Sequence, residues 1–93
     1  MDGKSKARTI REEKLFLQQK KKLKHSARRL DEILDGVTWA MCRKPESFPG
    51  VPGTRLYLAK TDDFPGTPAI HIWFTFDEET VLLLGIEEAP TAQ

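Results

Sequence analysis

The chain of 93 residues has one cysteine, Cys42, one tyrosine, Tyr57, and two histidines, His25 and His71. A lone cysteine forms no internal disulfide, and histidines this far apart lack the spacing of a metal site. Cys42 therefore reads as a small packed residue near a helix end, in a reducing, cytoplasmic setting. His25 has no evident mate and reads as a solvated residue between helices. No run approaches the roughly 18 apolar residues that cross a bilayer, and the N-terminus carries no apolar signal stretch, so no membrane attachment is expected. Also missing are a glycine-rich phosphate loop, a Walker pattern and a GxSxG elbow. The glycines of Pro49-Gly50-Val51-Pro52-Gly53 are turn punctuation. Nothing calls for a cofactor.

The length suits one domain over residues 1–93, with the polar residues 1–6 frayed. A hydrophobic content of 39% supports a modest core. A domain this small buries only roughly 60–65% of its unfolded surface, so a partner would add appreciable stability.

The net charge of +1 hides a polarity. Residues 1–29 carry eleven Lys and Arg against three acids, a net of +8, whereas residues 30–93 carry four bases against eleven acids, a net of −7. Such a split points to polyanion contact through Lys20, Lys21, Lys22, Lys24, Arg28 and Arg29, or to a basic helix balanced by acidic groups nearby in space.

Residues 7–11 read either as a short strand or as a helix start capped by Thr9, since Thr9-Ile10-Arg11-Glu12 has the capping-box form. Helix propensity runs from Glu12 to Lys24, with Leu15, Phe16, Gln19 and Leu23 along one side and lysines crowding the rest. Like charges at helical spacing cost a few tenths of a kcal/mol per pair, so this helix needs tertiary packing or an anionic neighbour. Ser26 suits an N-cap for a second helix. Leu30, Ile33, Leu34, Val37 and Met41 form its apolar stripe, which continues across Gly36 to about Arg43, and Pro45 ends it. The short link between the stripes predicts an antiparallel helical pair. Trp39 lies off the stripe, either packed on the first helix or exposed as an anchor for a partner.

Residues 54–61 read as a strand with Leu56 and Leu58 on one side and Arg55, Tyr57 and Ala59 on the other. Pro65-Gly66 marks a turn. A hairpin follows: residues 68–76, the acidic turn Asp77-Glu78-Glu79, then residues 80–88. In its first strand Ile70, Ile72, Phe74 and Phe76 alternate with His71, Trp73 and Thr75. Two helices and consecutive antiparallel strands give an α+β layer with helices on one sheet face. If Leu56 and Leu58 turn inward with the hairpin's isoleucines, the open face carries Arg55, Tyr57, His71, Trp73 and Thr75, with Lys60 near its edge. That set suits RNA, with Arg on phosphate, aromatic rings on bases and an imidazole to move a proton. It equally suits a protein laid across the sheet, where Tyr, Trp and Arg are the usual anchors.

In order, spacing and hydrophobic pattern, residues 28–88 resemble the RelE/ParE superfamily of bacterial type II toxin–antitoxin toxins. The resemblance is carried by Arg29-Leu30-Asp31-Glu32-Ile33-Leu34-Asp35-Gly36, Trp39-Ala40, Pro45-Glu46 and Val51-Pro52-Gly53-Thr54. It continues through Lys60-Thr61 and from Ile72-Trp73-Phe74 to Leu84-Gly85-Ile86-Glu87-Glu88, and with Arg8-Thr9-Ile10 it spans most of the chain. It implies a short N-terminal strand, two antiparallel helices on one face of a mainly antiparallel sheet, and three C-terminal strands completing that sheet. It also implies a cognate antitoxin. RelE-like members cleave mRNA on the ribosome and ParE-like members inhibit DNA gyrase by binding it. By the resemblance, Arg55 and Lys60 fall where RelE-like members place basic groups, with His71 and Trp73 on the following strand. RelE-like nucleases usually set an Arg, Tyr or His after the last strand, whereas Ala89-Pro90-Thr91-Ala92-Gln93 has none. Acid–base cleavage would then rest on His71 and Tyr57 with Arg55, and the expectation shifts toward a ParE-like protein that acts by binding.

Overall fold

Period-two alternation near the C-terminus and a 3.6-residue stripe before it build two layers. The computed structural model describes residues 8–23, 27–61 and 69–89. In chain order these form β1 (Thr9–Glu12), α1 (Lys14–Lys21), α2 (Ala27–Arg43), a single 3-10 turn at Pro45–Ser47, β2 (Tyr57–Lys60), β3 (Ile70–Phe76) and β4 (Thr80–Glu88). The sheet order is β1-β4-β3-β2. β2 pairs with β3 and β3 with β4 antiparallel, and β1 lies parallel to β4, Ile10 beside Val81. The fold is α+β, with two helices and one four-stranded mixed sheet. The ambiguity at the start of the chain resolves as a strand: the Thr9 amide donates to the Glu79 carbonyl at 2.9 Å, so Thr9 joins the ladder instead of capping a helix.

The hydrophobic stripe of α2 behaves as its spacing predicts. Leu30, Leu34 and Met41 are buried, and Ile33 and Val37 pack against the same cluster. That cluster joins Phe16 of α1 to Ile70, Ile72 and Phe74 of β3 and to Val81, Leu83 and Ile86 of β4. The helix runs unbroken through Gly36. Packing of the stripe outweighs the roughly 1 kcal/mol that glycine costs mid-helix. Pro45 then opens the 3-10 turn.

Helix α1 is shorter than its propensity. It ends at Lys21, where the Lys22 amide folds back onto the Gln19 carbonyl. Leu15, expected on its packed side, is 55% exposed, while Phe16 is fully buried. The reason is geometric. Phe16 and Gln19 lie i, i+3 along the side that meets β4, and Leu15 is rotated about 100° from Phe16.

Gln19 has a second task. Beyond Leu83 the strand β1 no longer accompanies β4, and the Ile86 amide faces that bare edge. The Gln19 side-chain oxygen accepts its hydrogen bond at 2.9 Å. An unpartnered buried amide costs about 1–3 kcal/mol. Gln19→Ala is therefore expected to destabilise the protein by about 1–3 kcal/mol and to speed hydrogen exchange at Ile86 selectively. Unchanged exchange at that amide would contradict this role.

The hairpin turn is held by Asp77. Its carboxylate accepts the Glu79 and Thr80 amides, both at 2.8 Å. Those bonds hold its pKa below the ordinary aspartate value. The stabilisation is thus present above that ordinary value and fades as pH falls through the lower folded one.

Candidate functional site

Register decides which side chains share a face. Paired residues on neighbouring strands point the same way. Across β2, β3 and β4 the partners are Ala59, Ile72 and Ile86 in one row, and Tyr57, Phe74 and Leu83 in another. Both rows belong to the core side. The expected orientation of β2 is therefore reversed: Tyr57 and Ala59 turn toward the helices, and Leu58 turns away. Both parities of Arg55-Leu56-Tyr57-Leu58-Ala59 contain apolar residues, so alternation alone does not select between them. Packing does. The Tyr57 ring stacks 5.7 Å from Phe74 and lies 4.9 Å from Phe76, and Phe48 meets Phe74 edge-on at 5.3 Å. Ala59 fits under the cluster, 1% exposed, where a larger residue would crowd Ile72.

The face turned from the core consists of three cross-strand rows. Lys60, His71 and Glu87 form the first, Leu58, Trp73 and Gly85 the second, and Thr75, Leu82 and Arg11 the third. Side chains directly opposite one another in such rows sit roughly 4.5–5.5 Å apart at Cβ. The His71 imidazole lies edge-on to the Trp73 indole, centroids 6.1 Å apart. Leu58, His71, Trp73, Thr75 and Leu82 are half-buried, and Arg11, Lys60 and Glu87 are exposed. The result is an aromatic and aliphatic centre rimmed by charges of both signs.

Of the expected catalytic trio, His71 stands on this face and Tyr57 on the opposite one. Arg55 is exposed in the bend before β2. The pairing of Lys60 with His71 places Arg55 at the far end of the strand pair, five residues and roughly 17 Å of extended chain away. The three do not converge. Lys60 and Trp73 do meet His71, as their strand positions imply.

Glu87 was not legible as a site residue because a bulge places it. From Phe76 opposite Val81 through Phe74 opposite Leu83 the hairpin register is regular, and it shifts between Trp73 and Phe74. The shift moves Glu87 opposite His71. Regular alternation would have turned Glu87 inward and Ile86 outward. The signal in the sequence is Gly85, since a glycine inside a strand often marks a bulge or a close approach. A Cβ at Gly85 would sit 3.1 Å from the Gln19 side-chain oxygen and 3.7 Å from Trp73. That position is confined by the same amide that closes the β4 edge.

Among the described residues, several bases of this segment lie beside acids. Lys20 lies 3.5 Å from Glu12, in a groove also lined by Asp31 and Asp35. Arg28 and Arg29 lie 3.9 and 3.5 Å from Glu32. Lys21 and Lys22 are exposed on the last turn of α1 and its cap. Lys24, His25 and the Ser26 cap fall outside the described residues. The charge polarity of the sequence is thus partly neutralised in space by the acidic side chains of α2.

Trp39 is 63% exposed on α2, with the Arg43 guanidinium 4.5 Å over its ring. It does not pack on α1. Burial pushes the Cys42 thiol up, outweighing the opposing charges of Arg43 and Arg8, which suits a packing role and disfavours the thiolate. Among the described residues no cluster of three His, Cys, Asp or Glu could hold a metal ion. No helix among them is long and apolar enough to cross a membrane. No protein-family model, curated protein or solved structure matches this chain.

Proposed function

We propose that this protein is a toxin-like component of a bacterial type II toxin–antitoxin module, of RelE/ParE type, that acts by binding a protein in the cytoplasm and is neutralised by a cognate antitoxin. The observation that carries the reading is the sheet face of Leu58, Trp73 and Leu82 rimmed by Arg11, Lys60 and Glu87. A half-buried indole flanked by aliphatic groups inside a charged rim has the anatomy of a protein contact. The separation of Tyr57 and Arg55 from His71 takes away the acid–base trio that cleavage would use. DNA gyrase is the target class that a ParE-like reading implies, and no cofactor is needed.

One observation favours the RelE-like alternative, a ribosome-dependent mRNA endoribonuclease. In the row Lys60, His71, Glu87 an imidazole stands between an ammonium and a carboxylate. Such a group can take a proton while a cation steadies phosphate. Induction of Trp73→Ala and His71→Ala variants separates the two. Binding predicts that Trp73→Ala abolishes growth arrest, that His71→Ala retains it, and that mRNA stays intact. Cleavage predicts arrest lost with His71→Ala and transcripts cut in the wild type. If induction of the wild-type gene is harmless and no adjacent gene product binds the protein, both toxin readings fail.

A further inference from the structure

The outer side of α2 carries a pattern that neither the core nor the sheet face uses. Glu32, Gly36, Trp39 and Arg43 follow i, i+4, i+7, i+11 and so lie along one line of the helix. All four are exposed. The line runs opposite the buried stripe of Leu30, Leu34 and Met41. Trp39 projects from it as the most exposed large apolar side chain among the described residues. Nothing lies within 4 Å of where a Cβ on Gly36 would stand, so the surface there is an open notch one turn from the indole.

We infer that this stripe is a contact between two copies of the chain, with their α2 helices antiparallel about a two-fold axis. The pattern is complementary to its own reverse. In an antiparallel pair centred between Gly36 and Trp39, each indole enters the notch at Gly36 of the second copy. Each Arg43 meets Glu32 of the second copy. A two-fold interface demands this reciprocity: if residue i touches j, then j touches i. Glycine allows the close approach of two helices that a bulky knob requires. Arg43 already lies over the Trp39 ring, so its guanidinium is ordered on the stripe before it meets a carboxylate. Glu32 exchanges its exposed contacts with Arg28 and Arg29, at 3.9 and 3.5 Å, for the intermolecular one. Exposed pairs of that kind contribute little, so the exchange is easy. The patch is one helix of 17 residues, about 25 Å long, smaller than a standard protein interface. The dimer is accordingly weak and concentration-dependent. The inference does not depend on the toxin reading.

Sedimentation equilibrium of the full chain up to about 1 mM tests it. A reversible monomer–dimer equilibrium is expected, and Trp39→Ala should raise its dissociation constant by roughly thirtyfold. Glu32→Arg and Arg43→Glu should each weaken self-association. The double variant should restore it, because reversing both charges restores both pairs. A mixture of the two single variants should form heterodimers more readily than either forms homodimers. All four positions are exposed, so unchanged circular dichroism is expected and shows that the fold is intact. A monomer at every concentration, a Trp39→Ala variant that dimerises like the wild type, or a double variant no better than the singles would each overturn the inference. So would capture of a different protein by Trp39 while the chain stays monomeric.

Discussion

Phe74→Ala is expected to lower the unfolding free energy by about 3–5 kcal/mol, the range for removing a fully buried phenylalanine. The ring is 0% exposed and lies at the centre of an aromatic group, 5.3 Å from Phe48, 5.7 Å from Tyr57 and 6.5 Å from Phe76. Each favourable ring pair adds about 0.5–1.5 kcal/mol beyond area burial, and the cavity left behind is bounded by side chains that the sheet holds in place. Domains of this size have roughly 5–14 kcal/mol in all. The loss should lower the melting temperature on the order of 12–40 °C. Urea unfolding with an unchanged slope checks it. A change below about 1.5 kcal/mol would mean that the aromatic group is not the centre of the core. Trp73→Ala, one residue along but on the other face, should cost markedly less.

Phe16→Ala has an effect of similar size and a different distribution. Phe16 is the buried side chain of α1. A helix of eight residues is well below the roughly 12–15 that stand alone in water. Docking onto β4 through Phe16 and Gln19 is what keeps it helical. The variant should lose about 3–5 kcal/mol, with α1 opening before the sheet. Hydrogen exchange followed by mass spectrometry distinguishes the outcomes. Peptides from α1 and the Ile86 edge of β4 should exchange early, while β3 stays protected. Uniform loss of protection would show that α1 and the sheet open as a single unit.

The two helices and the hairpin were legible because each rests on local regularity. The stripe from Leu30 to Met41 has one possible inward side, since its other positions, Trp39 apart, are charged, polar or small. On β3 the inward side reads from Ile70, Ile72 and Phe74, because the alternate positions His71, Trp73 and Thr75 each carry a polar atom. Asp77 made the turn readable, because a short carboxylate can accept the amides two and three residues on. At the site, His71 and Trp73 were readable for the same reason as the strand that carries them: they are the polar-capable residues at alternate positions.

The rest depended on contacts between distant parts of the chain. Thr9-Ile10-Arg11-Glu12 satisfies both a capping box and a strand, and the strand prevailed because β4 offered a ladder to Thr9. Leu58 and Tyr57 competed for the inner side of β2, and the aromatic rings on β3 and near Pro45 decided for Tyr57.

Sequence alone determined which elements exist, because periodicity and turn chemistry are properties of neighbouring residues. It also determined the material of the open face, an imidazole and an indole on one strand. Tertiary structure decided what stands beside them. The bulge at Leu84, beside Gly85, brings Glu87 to His71, and the reversal of β2 brings Lys60 and Leu58 in place of Tyr57. A strand has period two, so a shift of one residue moves every side chain to the other face. Only packing among distant parts of the core selects between the two.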